Sequence, residues 1–196
     1  MEKKNKKPGI LKIVGIIVGI LILAYVIGNF ASPRTLVISE NIEIEAAAPV
    51  VFEQVNELKN WEDWSPWLAM DPSMKLTYGD PSSGAGAWYS WVGEESGAGK
   101  LVIKESTLHS SIQTEIWFAE DTEEPQAFGN WTFEEKDGVI LATWAFKGDF
   151  PWYQRIMIPL LFKKMLSEQY VLGLEKLKEI AEAAPKELVA PVAIEE

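Results

Sequence analysis

With 196 residues, 47% of them hydrophobic and 24% charged, the chain is globular and holds one domain plus a short appendage, which excludes wholesale disorder, collagen and long coiled coil. Cysteine is absent and His109 is the single histidine, so disulfides, thiolate catalysis, Cys-ligated zinc and two-histidine metal sites are excluded. Residues 1–34 carry a net charge of +5 and residues 35–196 a net −16, and a body that acidic repels phosphate backbones.

From Ile13 to Gly28 no charged side chain interrupts the chain, and a snorkelling Lys12 extends the apolar stretch over 10–31. Twenty-two helical residues reach about 33 Å, enough to cross a hydrocarbon core of roughly 30 Å. A cleaved signal peptide fits less well, because Asn29-Phe30-Ala31 is a poor cleavage motif and the run exceeds the roughly 7–15 apolar residues such peptides use. A buried core helix fits less well too, since the stretch is apolar all round and contains Gly15, Gly19 and Gly28. Lys3, Lys4, Lys6, Lys7 and Lys12 precede or enter the span and only Arg34 follows it closely. The positive-inside rule then predicts a single-pass membrane protein with residues 1–9 as a basic cytoplasmic N-terminus and the body on the extracytoplasmic side.

Beyond the span, 35–46 alternates as a strand, and Phe52, Val55 and Leu58 give a short helix opened by Pro49. Trp61 and Trp64 share a face of a second short helix that Pro66 interrupts. Six further strands are predicted near 74–79, 86–93, 98–105, 109–118, 127–135 and 139–148, with the tightest turn at Lys136-Asp137-Gly138. From Trp152 the period becomes helical, with Phe162, Leu166, Tyr170, Gly173, Leu177 and Ile180 in one stripe and a bend at Pro159. Domain limits of 35–183, with a flexible tail over 184–196, follow from this pattern.

The ordered segments Ile42-Glu43-Ile44-Glu45-Ala46, Ala48-Pro49-Val50-Val51-Phe52, Asn56-Glu57-Leu58, Trp61-Glu62-Asp63-Trp64-Ser65-Pro66-Trp67, Asp71-Pro72, Gly84-Ala85-Gly86-Ala87-Trp88-Tyr89-Ser90-Trp91 and Leu174-Glu175-Lys176-Leu177-Lys178 span residues 40–180. Taken together they resemble the polyketide cyclase/dehydrase and lipid-transport branch of the START-like (SRPBCC) superfamily. The resemblance implies an α+β helix-grip (Bet v 1/START-like) fold. A seven-stranded antiparallel sheet would wrap a long C-terminal helix with an apolar cavity between them. It brings no catalytic motif that can be placed on residues here.

All nine tryptophans lie in the exported part, and an indole offers a large apolar surface with one N–H donor, suited to holding a greasy or flat ligand. Trp61, Trp64 and Trp67 fall on short helices at the expected cavity mouth. Alternation places Trp131 with Phe133 on one face and Trp144 with Ala142 and Phe146 on another, both read as inward. Strand 86–93 is apolar on both faces, and the resemblance favours Tyr89 and Trp91 inside. Phe162, Leu166 and Tyr170 complete the expected ligand-binding set from the final helix. Filling a small core is the competing role for each of these side chains.

Other features have bland roles. His109 reads as a loop residue, Asp63, Asp71 and Asp80 lack calcium-loop spacing, and Gly97-Ala98-Gly99-Lys100 is a hairpin turn rather than a phosphate loop. The predicted function is therefore a membrane-anchored module binding a hydrophobic small molecule or lipid. No metal, cofactor or nucleic acid is expected, and the oligomeric state is open. Two rivals stand beside it. One is a cyclase/dehydratase-type enzyme using Tyr89, Tyr170 or His109 to move protons, and the other is a structural or partner-binding protein with a collapsed cavity.

Overall fold

A computed structural model describes residues 9–118 and 122–185. Most of the predicted N-terminal basic stretch and tail, 1–8 and 186–196, lie outside the described residues. Helix α1 spans Ile10–Ala31 and is followed after three residues by strand β1, Thr35–Ile44. Helix α2 (Ala48–Asn56) has Pro at its first turn, where the missing N–H costs nothing. Two one-turn helices follow, α3 (Trp61–Trp64) and α4 (Trp67–Met70), before β2 (Lys75–Tyr78), β3 (Trp88–Gly93), β4 (Gly97–Thr107), β5 (Ser111–Trp117), β6 (Ala127–Lys136) and β7 (Val139–Asp149). The chain closes with α5, Lys163–Ala183.

The strands form one antiparallel sheet in the order β1-β7-β6-β5-β4-β3-β2, so the first strand pairs with the last. This is the expected helix-grip arrangement. Asp137 and Gly138 both have positive φ, which makes the β6–β7 turn the two-residue type that matches strand twist. A register shift between Ile103 and Glu105 marks a bulge in β4, a device that bends a sheet. Burial alternates along β6 and β7, with Trp131, Phe133, Ala142, Trp144 and Phe146 inward. On β3, Tyr89 and Trp91 are inward and Val92 is exposed.

The final helix departs from expectation. A single 3-10 turn at Trp152–Gln154 and a wide π-type turn at Ile158–Phe162 occupy the segment predicted as helix, and α5 begins only at Lys163. Pro159 has no N–H for a regular ladder and falls inside that wide turn. Leu166, Tyr170, Gly173, Leu174, Leu177 and Ala181 form the buried stripe of α5, which packs on β1, α2 and α3. Phe162 is excluded from the stripe and stands 37% exposed, because the wide turn rotates it away.

Helix α1 is long and apolar enough to span a bilayer, and none of its most apolar window is buried against the domain. A core helix of a soluble protein would be covered. Only Asn29, near its end, is buried.

Candidate functional site

The predicted ligand-binding side chains fall into two places. Trp61, Trp64, Trp67, Tyr89, Trp91, Trp131, Phe133, Trp144 and Tyr170 form a continuous set of ring contacts between the sheet and α5. Trp144 is sandwiched, with the Tyr170 ring stacked at 3.8 Å on one side and the Trp131 ring at 4.7 Å on the other. Trp64 meets Trp131 edge-on at 5.6 Å, and Trp61 meets Trp144 edge-on at 6.0 Å. Offset and edge-to-face pairs of this kind stabilise beyond the area they bury. Leu166 is buried beside them on α5.

The indole donors are mostly committed locally. Trp61 Nε1 donates to the Val55 carbonyl at 2.8 Å and Trp64 Nε1 to the Gln54 carbonyl at 2.9 Å. These bonds satisfy carbonyls that the end of α2 leaves open and pin α3 beneath it. Trp131 Nε1, fully buried, is the one buried side-chain polar atom without a partner among the described residues. Gly173 lets α5 approach closely, since a Cβ there would lie 3.0 Å from the Trp144 ring and 3.1 Å from Pro66.

Tyr89 and Tyr170 share this interior. Burial pushes both phenols far above their usual range, and Tyr89 adds to the shift of Tyr170. Both stay protonated at neutral pH and can donate but not act as bases. Tyr78, which donates to Glu62 Oε1 at 2.7 Å and packs on Tyr89, is raised by burial and by that carboxylate. His109 sits at the β4–β5 turn with positive φ, its ring edge-on to Phe52, and makes no ring contact with either tyrosine. Of the three proton carriers that the sequence offers, Tyr89 and Tyr170 share one interior and His109 stands apart.

Asp71 is a structural knot. Its carboxylate accepts from the backbone N–H and hydroxyl of Ser73, the backbone N–H and hydroxyl of Ser96, and the backbone N–H of Glu95. The Ser73 and Ser96 hydrogen bonds hold its carboxyl well below the usual range. The turn before β2 is thereby tied to the β3–β4 hairpin.

A second region stands apart from these rings. A cleft of about 330 Å³ is lined by Phe150, Gln154, Met157, Ile158, Leu161, Phe162 and Met165, with Gln154 its one polar side chain. Of the predicted set only Phe162 lies here. The other lining residues were not singled out from the sequence. The available signal was the run Ile156-Met157-Ile158-Pro159-Leu160-Leu161-Phe162, too apolar for a surface loop and without a clean helical stripe.

The end of α1 docks beside this cleft. Asn29 Oδ1 accepts from the Ile156 N–H at 3.0 Å, its amide donates to the Tyr25 carbonyl, and the Tyr25 hydroxyl donates to the Tyr153 carbonyl. Phe30 stacks on Trp152 at 5.4 Å. A Cβ at Gly28 would lie 2.6 Å from Ile156 Cδ1, so a larger residue there would have to turn the end of that side chain aside. Arg34 Nε pairs with Asp149 at 2.9 Å across the start of β1, and the Thr35 hydroxyl donates to the same carboxylate.

No family model matches the chain, and no curated protein does. Solved structures are similar in fold. Protein CV1439 from Chromobacterium violaceum superposes with a TM-score of 0.55 at 13% identity, over 78% of this chain and 99% of its own. Ara h 8.0201 gives 0.53 at 11% identity, over 76% of this chain and 99% of its own. The di-domain ARO/CYC BexL from the BE-7585A biosynthetic pathway gives 0.56 at 18% identity, over 91% of this chain and 63% of its own. At these identities the likeness establishes architecture alone, and it agrees with the strand order and the gripped α5: the chain has the helix-grip fold of the Bet v 1/START-like proteins.

Proposed function

We propose that this chain is a membrane-anchored binding module for a hydrophobic or amphipathic small molecule, taken up at the cleft between the end of β7 and the start of α5. The observation that carries the reading is the cleft itself, whose 330 Å³ falls in the range of small-ligand sites and whose lining is apolar with a single amide to orient a polar end. The ARO/CYC name of one structural neighbour fits a fold that accommodates apolar molecules, without specifying which.

Native mass spectrometry of the full chain released from mild detergent tests this. A bound apolar mass is expected in the wild type and should be lost in Met165→Trp, which fills the cleft. An apo mass in both, with no fluorescence response to a panel of lipids and aromatic compounds, would sink the reading and favour the structural, partner-binding role. The lysine asymmetry around α1 supports a body that lies outside the cytoplasm. Protease added to intact spheroplasts should digest it, and full protection would reverse the orientation.

A further inference from the structure

We propose that the segment from Phe150 to Met165 is a second membrane-contact element, which lies on the surface of the bilayer that α1 crosses and engages anionic phospholipid headgroups. The inference rests on α1 being the anchor and adds the orientation of the domain and the source of its ligand. Trp152, Tyr153, Met157, Leu161 and Phe162 are all exposed, with Leu161 at 63%. Adjacent exposed apolar side chains of this number on an acidic domain mark a contact surface rather than ordinary scatter. Their position names the occupant. Phe30 on Trp152, Tyr25 on Tyr153 and Asn29 on Ile156 join the segment to the last turns of the candidate span, so its apolar face continues the apolar surface of α1.

Charge points the same way. Residues 150–167, between Asp149 and Glu168, contain Arg155, Lys163 and Lys164 and no acidic residue, within a body that is otherwise strongly negative; Lys164 reaches Glu168 at 3.7 Å, an exposed pair weak enough for a headgroup to compete with. Lys163 and Lys164 directly follow the apolar turn, the order in which an interfacial segment presents side chains to acyl chains and then to headgroups. Trp152 and Tyr153 are the residue types that settle at the headgroup level. In this orientation Leu161, Phe162 and Met165 stand both on the membrane face and on the wall of the cleft. A lipid chain would enter without crossing water.

The absence of cysteine makes site-directed spin labelling direct. Full-length protein carrying a nitroxide at Leu161→Cys, Ile17→Cys or Leu108→Cys is reconstituted into vesicles of phosphatidylcholine, with or without phosphatidylglycerol. Accessibility to oxygen and to a water-soluble nickel complex then reports depth. Labels at positions 17 and 161 should be immersed, and the label at Leu108, exposed on the β4–β5 turn, should remain aqueous. Replacing both lysines, Lys163→Gln with Lys164→Gln, should lower the docked-to-undocked ratio roughly fivefold per lysine in phosphatidylglycerol vesicles, with no change in phosphatidylcholine alone. A label at 161 as accessible to nickel as the one at 108, with 17 immersed, overturns docking and leaves the anchor and the cleft untouched. An aqueous label at 17 overturns the anchor and docking together. A label at 161 shielded from both reagents means that protein covers the segment, which also overturns the proposal.

Discussion

Trp131 and Trp152 carry the same side chain into opposite situations. Trp131 is fully buried, with Trp144 and Phe133 stacked against it and Trp61 and Trp64 edge-on. Trp152 is half open, stacked on Phe30 of α1 with Tyr153 beside it. The first region is closed by rings from β3, β6, β7, α3, α4 and α5, and each ring leaves its neighbours little freedom. The second is built from short turns between β7 and α5 and leaves a cleft. Aromatic richness alone therefore does not locate a binding site. What separates the two regions is whether enough elements converge to fill the space, and near the end of α1 they do not.

The strongest way to break this contrast is Trp131→Ala. If the ring is packing, its removal should cost about 3–5 kcal/mol in denaturant unfolding of the full chain in detergent. A loss under about 1 kcal/mol would mean the interior is looser than its stacking implies. Next comes Gly173→Leu, which drives a side chain into Trp144 and Pro66. Trp144 is held between two other rings and cannot yield, so about 1–3 kcal/mol of destabilisation is expected by the same measurement. If Gly173→Leu is as stable as wild type, the close approach of α5 is not tight.

Asp71 sharpens the comparison from outside the closed region. Its carboxyl is held low in the folded state, so its contribution is full above the unfolded value of about 4 and fades as pH falls through the folded one. The stability gap between wild type and Asp71→Asn should be widest near neutral pH and narrow in acid. A gap independent of pH would show that the hydrogen bonds of the knot do not depend on its charge. The smallest effect is expected from Phe162→Ala. Its partly exposed ring should contribute within about 0.5 kcal/mol to stability, yet its loss should weaken retention of an apolar ligand. Equal retention in the variant would remove Phe162 from the site.

The fold was legible because its signals are local. Alternation along 127–148 groups Trp131 with Phe133 and Trp144 with Ala142 and Phe146 without any knowledge of neighbours, and the Asp137-Gly138 turn follows from its residues. On β3, Trp88 and Val92 are as apolar as Tyr89 and Trp91, so only the resemblance could say which pair faces inward. The start of α5 was misplaced because 152–162 is apolar and suited to a helix, and the wide turn around Pro159 depends on where β7 ends. The site was the least legible part. Whether rings leave a cavity or interlock depends on volumes contributed by six elements at once, which no sequence window contains. Phe150, Met157 and Met165 line the cleft through tertiary placement, and their spacing in the chain carries no mark of it.

Three residues, Ser32 to Arg34, separate the last residue of α1 from the first of β1. Even fully extended they reach only about 10 Å, and the Asn29–Ile156 and Arg34–Asp149 contacts hold both ends down. A domain joined in this way is not a ball on a string. With α1 in a bilayer, as proposed, tilt or rotation of the helix would turn the whole domain, and the domain would have no tether length with which to travel away from the lipid. A molecule held in the cleft would then be kept at a fixed height. Delivery to any distant acceptor would require the acceptor to come to the bilayer, and a module of the kind proposed would be a stationary post for hand-over rather than a shuttle.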